Sequence, residues 1–322
     1  VGASVYYLHP GVTNQRGETP PLTYSIISGN DKNLFMIREE TGLIRTASLL
    51  DAEIDSSIEL VIGAYNPKSM GSPHHGSATV TISILDTNDN APVFKINETN
   101  VIFDENTPAG TIIYKVVATD ADQGMNARIS YSITNQETLP FEIDHFTGDI
   151  KLKQSLDYET MRRDFKTVVR ATDWGSPFSR ESEIHLYFHL QNINDNSPLF
   201  EKVNCSGYLS REAPLGTDIV TTPAVDFDYS DLTYYIKSGN EDGCFEVDAS
   251  SGRLMLNCSL EAHTLDERQI TIVVSDGKFD SDPVFVSLTL VNNKKNMQLS
   301  NKDANVQCKT TDAQERLLKI LQ

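Results

Sequence analysis

The sequence predicts an all-β protein of tandem, seven-stranded Greek-key sandwiches arranged as an elongated rod. One pattern of about a hundred residues occurs three times in the 322-residue chain. Each copy holds about seven short runs of β-branched and aromatic residues separated by turn residues. No sustained 3.6-residue hydrophobic period occurs before the far C-terminus, which argues against a helical core.

The three copies share the same order of short motifs. A period-2 segment is followed by Phe-x-[Ile/Val] and then by a turn that contains glycine. The turn glycines are Gly42, Gly148 and Gly252, so the copies are 148 − 42 = 106 and 252 − 148 = 104 residues apart. We place a first repeat at 1–90 without its first strand, a second at 91–196, a divergent third at 197–292, and a tail at 293–322.

The last two strands of each repeat are the clearest. Their apolar and polar residues alternate, which puts one set of side chains in a core and the other in water. The predicted pairs are Glu59–Tyr65 with Ser77–Leu85, Lys166–Thr172 with Glu183–Leu190, and Gln269–Ser275 with Val284–Val291.

The tail has a different pattern. Thr311-Asp-Ala-Gln314 matches a capping box, and an apolar stripe from Ala313 to Leu321 follows it. We predict a short C-terminal helix there, and we expect the tail to begin a membrane-adjacent domain.

The charge balance restricts the partners. The chain has 45 Asp and Glu against 27 Lys and Arg, a formal charge of −18. Nucleic acids and anionic membranes attract basic surfaces, so cations are the expected counterpart. The longest apolar runs, such as Val284–Val291, are far shorter than the roughly 18 to 20 residues that span a bilayer, and the N-terminus lacks a signal-peptide pattern. We expect a soluble piece of a larger protein.

Cysteines and glycosylation sequons indicate an extracellular location. Three Asn-x-Ser/Thr sequons begin at Asn97, Asn204 and Asn257. Four cysteines allow three disulfide pairings. Cys244 and Cys258 flank a predicted hairpin, which favours that pair and leaves Cys205 and Cys308 to each other or free.

Two acidic strings end the first two repeats, and both are rich in oxygen ligands. DTNDNAP at Asp86–Pro92 and NINDNSP at Asn192–Pro198 lie 192 − 86 = 106 residues apart. Further acidic motifs are Asp104-Glu-Asn106, Asp120-Ala-Asp122-Gln-Gly-Met-Asn126, Leu156-Asp-Tyr-Glu159 and Ala171-Thr-Asp173. Together these motifs resemble the extracellular repeats of cadherins over about residues 1–292. The chain looks more like the membrane-proximal part of a long atypical cadherin, of the Fat or tip-link type, than like a short adhesion cadherin.

The resemblance implies calcium ions at both linkers. Carboxylate, amide and backbone oxygens suit Ca²⁺, which takes six to eight of them. The ligands expected at the first linker are Asp51, Glu53, Asp86, Asn88, Asp89, Asn90, Asp120, Asp122, Asn126 and Asp173. Those expected at the second are Glu105, Asp157, Glu159, Asn192, Asn194, Asp195, Asn196, Asp226, Asp228 and Asp276.

The two linkers differ at the residue that opens the linker string. By the resemblance the first binds three ions, whose six positive charges its seven carboxylates nearly balance. In the second, Asn192 replaces an aspartate, so we expect one weaker or missing ion. Both outer ends, at residues 9–15 and 292–296, lack the acidic pattern and are expected to bind calcium poorly.

The predicted function is calcium-dependent cell adhesion or force bearing, as in mechanotransduction. Calcium would stiffen the linkers of an ectodomain whose parent is anchored in the cell membrane by a single span. Other cadherin ectodomains, in homophilic or heterophilic contacts, are the expected partners.

Two other functional classes are alternatives to this prediction. The first is a protein-binding module that uses a sandwich face. The second is an enzyme with a glycosidase-type pair, Asp157 with Glu159 or Asp120 with Asp122. Catalysis needs two carboxylates in divergent environments, whereas these clusters repeat and are pooled at the linkers, so no enzyme is expected.

Overall fold

The computed structural model describes residues 2–8, 21–67, 75–228, 231–261, 264–292 and 303–312. Within these ranges the chain forms strands β1 to β25 and a single-turn 3₁₀ helix at Gln136–Thr138, so the all-β prediction is confirmed. No helix in the described part of the chain is both long and apolar enough to span a bilayer. The predicted helix after Asp312 and the segment at 9–15 lie outside the described residues.

The first repeat forms two three-stranded sheets, β1-β4-β3 and β2-β5-β6. Hairpin β5–β6 pairs from Ser57 with Ser83 to Tyr65 with His75. Its strands are β1 (Ser4–Tyr7), β2 (Thr23–Ser28), β3 (Phe35–Ile37), β4 (Leu43–Thr46), β5 (Ser57–Tyr65) and β6 (His75–Ser83).

The second repeat has the same arrangement with a fourth strand in one sheet and an added two-stranded sheet. Its sheets are β10-β7, β12-β13-β9 and β11-β14-β15-β8. Its strands are β7 (Val93–Phe94), β8 (Glu98–Asp104), β9 (Ile112–Lys115), β10 (Ala118–Thr119), β11 (Ile129–Ile133), β12 (Phe141–Ile143), β13 (Asp149–Leu152), β14 (Asp164–Asp173) and β15 (Glu181–Gln191).

The third repeat follows the same order and gains one strand. Its sheets are β16-β19, β18-β22-β21 and β20-β23-β24-β17-β25. Its strands are β16 (Leu199–Phe200), β17 (Lys202–Ser210), β18 (Asp218–Thr221), β19 (Ala224–Val225), β20 (Thr233–Ser238), β21 (Phe245–Val247), β22 (Arg253–Leu256), β23 (Glu267–Ser275), β24 (Val284–Val291) and β25 (Ala304–Thr310).

Strand β25 departs from the sequence prediction, which placed these residues in a tail separate from the third repeat. It pairs antiparallel with β17, whose other edge pairs in parallel with β24. An unpaired edge of β17 would expose backbone donors and acceptors, and β25 satisfies them. The domain boundaries drawn from the sequence stay predictions, but residues 304–310 belong to the sheet of the third repeat.

Chain contacts divide the protein into two compact units. The first unit contains Val1–Val101, Pro108–Gln154 and Phe165–Phe188, and the second contains Ile102–Thr107, Ser155–Asp164 and His189–Gln322. In the first unit, Phe141 stacks on Phe188 with 4.3 Å between ring centroids and meets Phe165 edge-on at 5.2 Å. In the second unit, fully buried aliphatic residues such as Leu254 and Ile270 form the core. Each unit therefore has its own apolar interior.

The predicted turn glycines have the backbone conformation that explains them. Gly42, Gly148 and Gly252 have φ of 67°, 72° and 67°, a region that L side chains rarely adopt. A Cβ on Gly148 would also lie 2.4 Å from the Val116 carbonyl oxygen. The repeated glycine is therefore a steric requirement of this turn.

All four cysteines are in disulfides. Cys244 pairs with Cys258 across the predicted hairpin, with 4.6 Å between Cα atoms. Cys205 of β17 pairs with Cys308 of β25, 103 residues later. The second disulfide fastens the added strand to the third repeat.

Candidate metal centres

The residues predicted at the first linker gather within the first unit. Asp51 and Glu53 lie before β5, and residues 86–90 connect β6 to β7. The loop at 120–126 follows β10, and Asp173 ends β14. Two successive repeats thus contribute to one group, which we call the first-linker cluster.

The centre of this cluster is a close set of carboxylates. One oxygen from each of Glu53, Asp86 and Asp122 lies within 4.8 Å of the others. Two carboxylates at about 5 Å repel by roughly 3 kcal/mol at an effective dielectric constant near 20. The arrangement therefore favours a bound cation.

Hydrogen bonds join the linker to the second repeat. The Asn90 side-chain amide donates to Asp122 Oδ1 at 2.7 Å, and the Asn88 amide donates to Asp173 Oδ1 at 3.2 Å. Asp86 Oδ2 accepts from the Asn126 amide at 3.0 Å. Three other aspartates of the cluster accept hydrogen bonds from residues close in sequence. Asp51 accepts from the Glu53 backbone N–H, Asp89 from the Asn90 side-chain amide, and Asp120 from the Asp122 backbone N–H.

Three oxygens of the first-linker cluster are buried without a hydrogen bond. They are Asp86 Oδ1, Asn88 Oδ1 and Asp120 Oδ2. A buried acceptor left unpaired costs about 1–3 kcal/mol, more when it carries charge. A hard cation would satisfy all three, so the donor set fits a calcium ion.

Crowding of carboxylates also shifts their pKa values. Hydrogen bonds to Asp51 and Asp86 raise the pKa of Glu53 to about 7. Burial raises the pKa of Asp120, and the charges of Asp122 and Asp173 add to that effect. Burial also acts to raise the pKa of Asp86, but donors from Gln123 and Asn126 outweigh it and lower the pKa overall.

A second-linker cluster forms within the second unit. One oxygen from each of Glu105, Glu159 and Asp195 lies within 4.8 Å of the others. Glu105 Oε1 accepts from the Ile193 N–H and Oε2 from the Tyr158 N–H, both at 2.7 Å. Glu105 therefore joins the linker to the loop at 157–159.

The third repeat completes this cluster. Asp228 Oδ2 accepts from the backbone N–H groups of Asp195 at 2.8 Å and Asn196 at 2.7 Å. Asn192 donates to the Asp228 carbonyl, and Asp226 accepts from the Asp228 N–H. Asp157 accepts from the Glu159 N–H, and the Asn194 side chain hydrogen-bonds Asp276.

The second-linker cluster also contains buried oxygens without a hydrogen-bond donor. Glu159 Oε1 and Asn192 Oδ1 are buried and accept no hydrogen bond. Burial raises the pKa of Glu159 to about 8, with the charges of Glu105 and Asp228 and a hydrogen bond to Asp157 adding to it. By contrast, the pKa values of Asp157 and Asp276 are lowered because local hydrogen-bond donors outweigh their burial.

Two basic residues that the sequence reasoning missed contact the linkers. Arg180 Nε donates to the Asn88 carbonyl at 2.9 Å, and Lys278 Nζ donates to the Asn194 carbonyl at 2.6 Å. Arg180 lies seven residues after Asp173, whereas Lys278 lies two after Asp276. No common spacing in the sequence could have revealed this shared role.

Comparisons with known proteins show which family the chain resembles. A family model described as the cadherin domain matches residues 12–85 and 99–191. The Fat-like cadherin-related tumor suppressor homolog of Drosophila melanogaster is 41% identical over 276 residues, covering 85% of this chain and 6% of that protein. Protocadherin Fat 2 of Mus musculus is 36% identical over 306 residues, covering 94% of this chain and 7% of that protein. The chain thus spans a small fraction of these relatives.

Solved structures show the same fold. Mouse cadherin-23 EC22-24 superposes with a TM-score of 0.62 at 25% identity, covering 84% of this chain and 86% of that one. The protocadherin gammaB7 EC3-6 cis-dimer structure gives a TM-score of 0.70 at 25% identity, covering 84% of this chain and 67% of that one.

Proposed function

The chain belongs to the cadherin family, and on this premise we propose that it is an adhesive or force-bearing ectodomain segment whose linkers are stiffened by calcium. The family consists of extracellular adhesion proteins and not of enzymes, and the relatives are membrane-anchored. Calcium dependence and linker stiffening are the parts that we propose for this chain.

The observation that carries the proposal is the pair of matched clusters. Each has a carboxylate triad and buried oxygens that accept no hydrogen bond. Single acidic groups on a surface are common without a metal, but two clusters built from equivalent positions of successive repeats are not explained by solvation. All twenty residues predicted from the sequence are proposed as ligands of Ca²⁺.

The proposed mechanism is electrostatic. Without metal, the repulsion within each triad opposes the approach of the loops that carry it. Calcium held by these residues would reverse the sign of that interaction and would hold the carboxylates of consecutive repeats together. Each linker then resists bending because motion would break ion–ligand contacts.

The two linkers are proposed to differ in affinity. Asn192 supplies an amide oxygen where Asp86 supplies a carboxylate, so the second-linker cluster has less negative charge at that position. The Lys278 ammonium group also lies against this linker, at the Asn194 carbonyl. We propose that the second linker binds its ions more weakly.

Calorimetric titration of the metal-free chain with CaCl₂ tests the proposal. The expected result is two classes of sites, with the tighter class lost in a variant that carries Asp86→Asn and Asp122→Asn. Retention of both classes in that variant would place the tight sites elsewhere. Absence of binding at millimolar calcium would overturn the proposal.

Other cadherin ectodomains are the proposed partners. Exposed aromatic side chains on the second repeat are candidates for such contacts. Phe178 is 81% exposed, and Phe146 packs beside Trp174 with 5.9 Å between ring centroids. Analytical ultracentrifugation over a range of protein concentrations, with and without calcium, tests self-association.

A further inference from the structure

The outer face of the five-stranded sheet in the third repeat has an ordered polar surface. Two rows of directly paired residues cross β23, β24, β17 and β25. One row is Glu267, Thr289, Tyr208 and Asn305, and the other is Gln269, Ser287, Ser206 and Gln307. The alternate residues of these strands, such as Ile270 and Leu288, face the core.

The six members of these rows on β17, β23 and β24 line a groove of about 550 Å³. Hydroxyl and amide groups predominate in it, and Tyr208, 49% exposed, supplies an aromatic ring. The guanidinium of neighbouring Arg268 is held by Asp242 at 2.6 Å. Neutral donors and acceptors beside an aromatic ring fit a sugar, whose hydroxyls pair with the polar groups while its C–H face packs on the ring.

A glycosylation sequon leads directly into this groove. Asn204-Cys205-Ser206 lies on β17, and Ser206 belongs to the second row. Asn204 is exposed and has φ of 50°, at a bulge where β17 shifts register against β25. Cys205 is buried and bonded to Cys308, which fixes the backbone on which Asn204 sits.

The dimensions suit the first sugars of a glycan. At about 3.3 Å per residue, Ser206 lies about 7 Å and Tyr208 about 13 Å along the strand from Asn204. Two or three sugars cover that distance. Cys308 follows Cys205 by 103 residues, so the sequon is synthesised before its disulfide partner exists and is open to modification.

We propose that Asn204 carries an N-linked glycan whose core sugars lie in this groove. The co-reactant is a lipid-diphosphate-linked oligosaccharide of the secretory pathway. The Asn204 amide nitrogen bonds to C1 of the first N-acetylglucosamine of this oligosaccharide and loses a proton. At the same time the C1–O bond to the lipid diphosphate breaks and the lipid diphosphate leaves. The bound glycan covers this face of the third repeat and directs protein partners to other surfaces.

The test uses the whole chain secreted from mammalian cells that make high-mannose glycans. Peptide mass spectrometry after deglycosylation in ¹⁸O water measures occupancy, and native digestion with an endoglycosidase measures how accessible each glycan is. We expect a glycan at Asn204 that is cleaved about tenfold more slowly than the one at Asn97. A tenfold difference in cleavage rate corresponds to weak binding of the Asn204 glycan in the groove. Asn97 is an exposed sequon on the second repeat and serves as the internal control.

Two variants separate docking from mere attachment. Tyr208→Ser and, independently, Gln269→Ala keep the sequon and are expected to bring cleavage at Asn204 to the rate at Asn97. Thermal unfolding shows whether each variant is folded. Because the two substitutions are at separate positions, the test still holds if one variant does not fold. An unmodified Asn204, or equal cleavage at Asn97 and Asn204 in the parent chain, overturns the proposal.

Discussion

Burial makes the ionisation of Glu159 unfavourable in the metal-free fold, and the charges of Glu105 and Asp228 add to this effect. Its pKa rises from an ordinary 4.5 to about 8. The stabilisation from this shift is complete below about pH 4.5 and is lost as the pH rises through 8. Since Ca²⁺ binds the carboxylate form, protons and calcium would compete for Glu159 if it is a ligand as proposed.

This competition predicts that calcium affinity at the second linker falls between pH 8 and pH 6. A pKa near 8 gives a loss approaching about tenfold for each pH unit below it. Calorimetric titrations at both pH values measure the effect. The Glu159→Gln variant is the control, since it should bind more weakly at pH 8 and lose most of the pH dependence. A parent chain with equal affinity at both pH values would contradict the assignment of Glu159 as a ligand.

Asp89 offers a test at the first linker that leaves the metal-free fold almost undisturbed. Its side chain is exposed and accepts a hydrogen bond from the adjacent Asn90 amide. Asp89→Ala is expected to change the metal-free stability by less than about 0.5 kcal/mol, as for most surface substitutions. Calcium affinity at the first linker should fall by about tenfold or more, since a charged ligand is lost.

Equilibrium unfolding with and without calcium measures both effects of Asp89→Ala. Asp31→Ala, at an exposed aspartate of the same repeat, is the matched control. Equal calcium affinity in the two variants would remove Asp89 from the site.

At the scale of elements, β25 is the strand whose position depends most on a covalent link. It pairs with β17 through a register shift, and Cys205–Cys308 spans that shift. Disulfides restrict the unfolded chain more as the closed loop lengthens, and Cys205–Cys308 closes a far longer loop than Cys244–Cys258.

Replacing both Cys205 and Cys308 with alanine is therefore expected to cost about 2–5 kcal/mol of unfolding free energy. Native-state hydrogen exchange should show the loss of protection concentrated in β25 and β17, with β23 protected until global unfolding. The double variant Cys244→Ala with Cys258→Ala is the control, and its β25 should stay protected. Full protection of β25 without the Cys205–Cys308 bond would mean that strand pairing alone holds it.

At the scale of the whole molecule, we expect the acidic charge to make stability depend on a bound cation. An ion that binds the native state alone stabilises it by about 2.7 kcal/mol at a free concentration one hundred times its dissociation constant. Chelation is therefore expected to lower the melting temperature and to expose the linkers at residues 86–90 and 192–196 to proteases.

Limited proteolysis with mass spectrometry locates those cuts, and small-angle scattering follows the accompanying increase in flexibility. Magnesium is the control cation, since its smaller octahedral shell fits such a ligand set poorly, and it should protect less than calcium. Identical cleavage and scattering with chelator and with calcium would rule out the stiffening mechanism.

The sequence by itself determined the features that repeat or that depend on residue type. Strand alternation and the positive-φ turn glycines predicted the sandwiches, because side-chain period and glycine's freedom are local properties. The matched acidic motifs predicted which residues meet at each linker, because equivalent positions in repeated folds reach equivalent places. Pairing across the hairpin also made Cys244 and Cys258 the favoured disulfide.

Only the tertiary structure decided what depends on contacts between distant residues. It placed β25 on the edge of β17. The described sheets of the first two repeats have no strand equivalent to β25. It brought Arg180 and Lys278 to the linker carbonyls from unequal sequence spacings. It also aligned the polar rows around Tyr208. Each row contains residues from four strands that are separated in sequence, so the row depends on cross-strand register and no single segment of the sequence contains it.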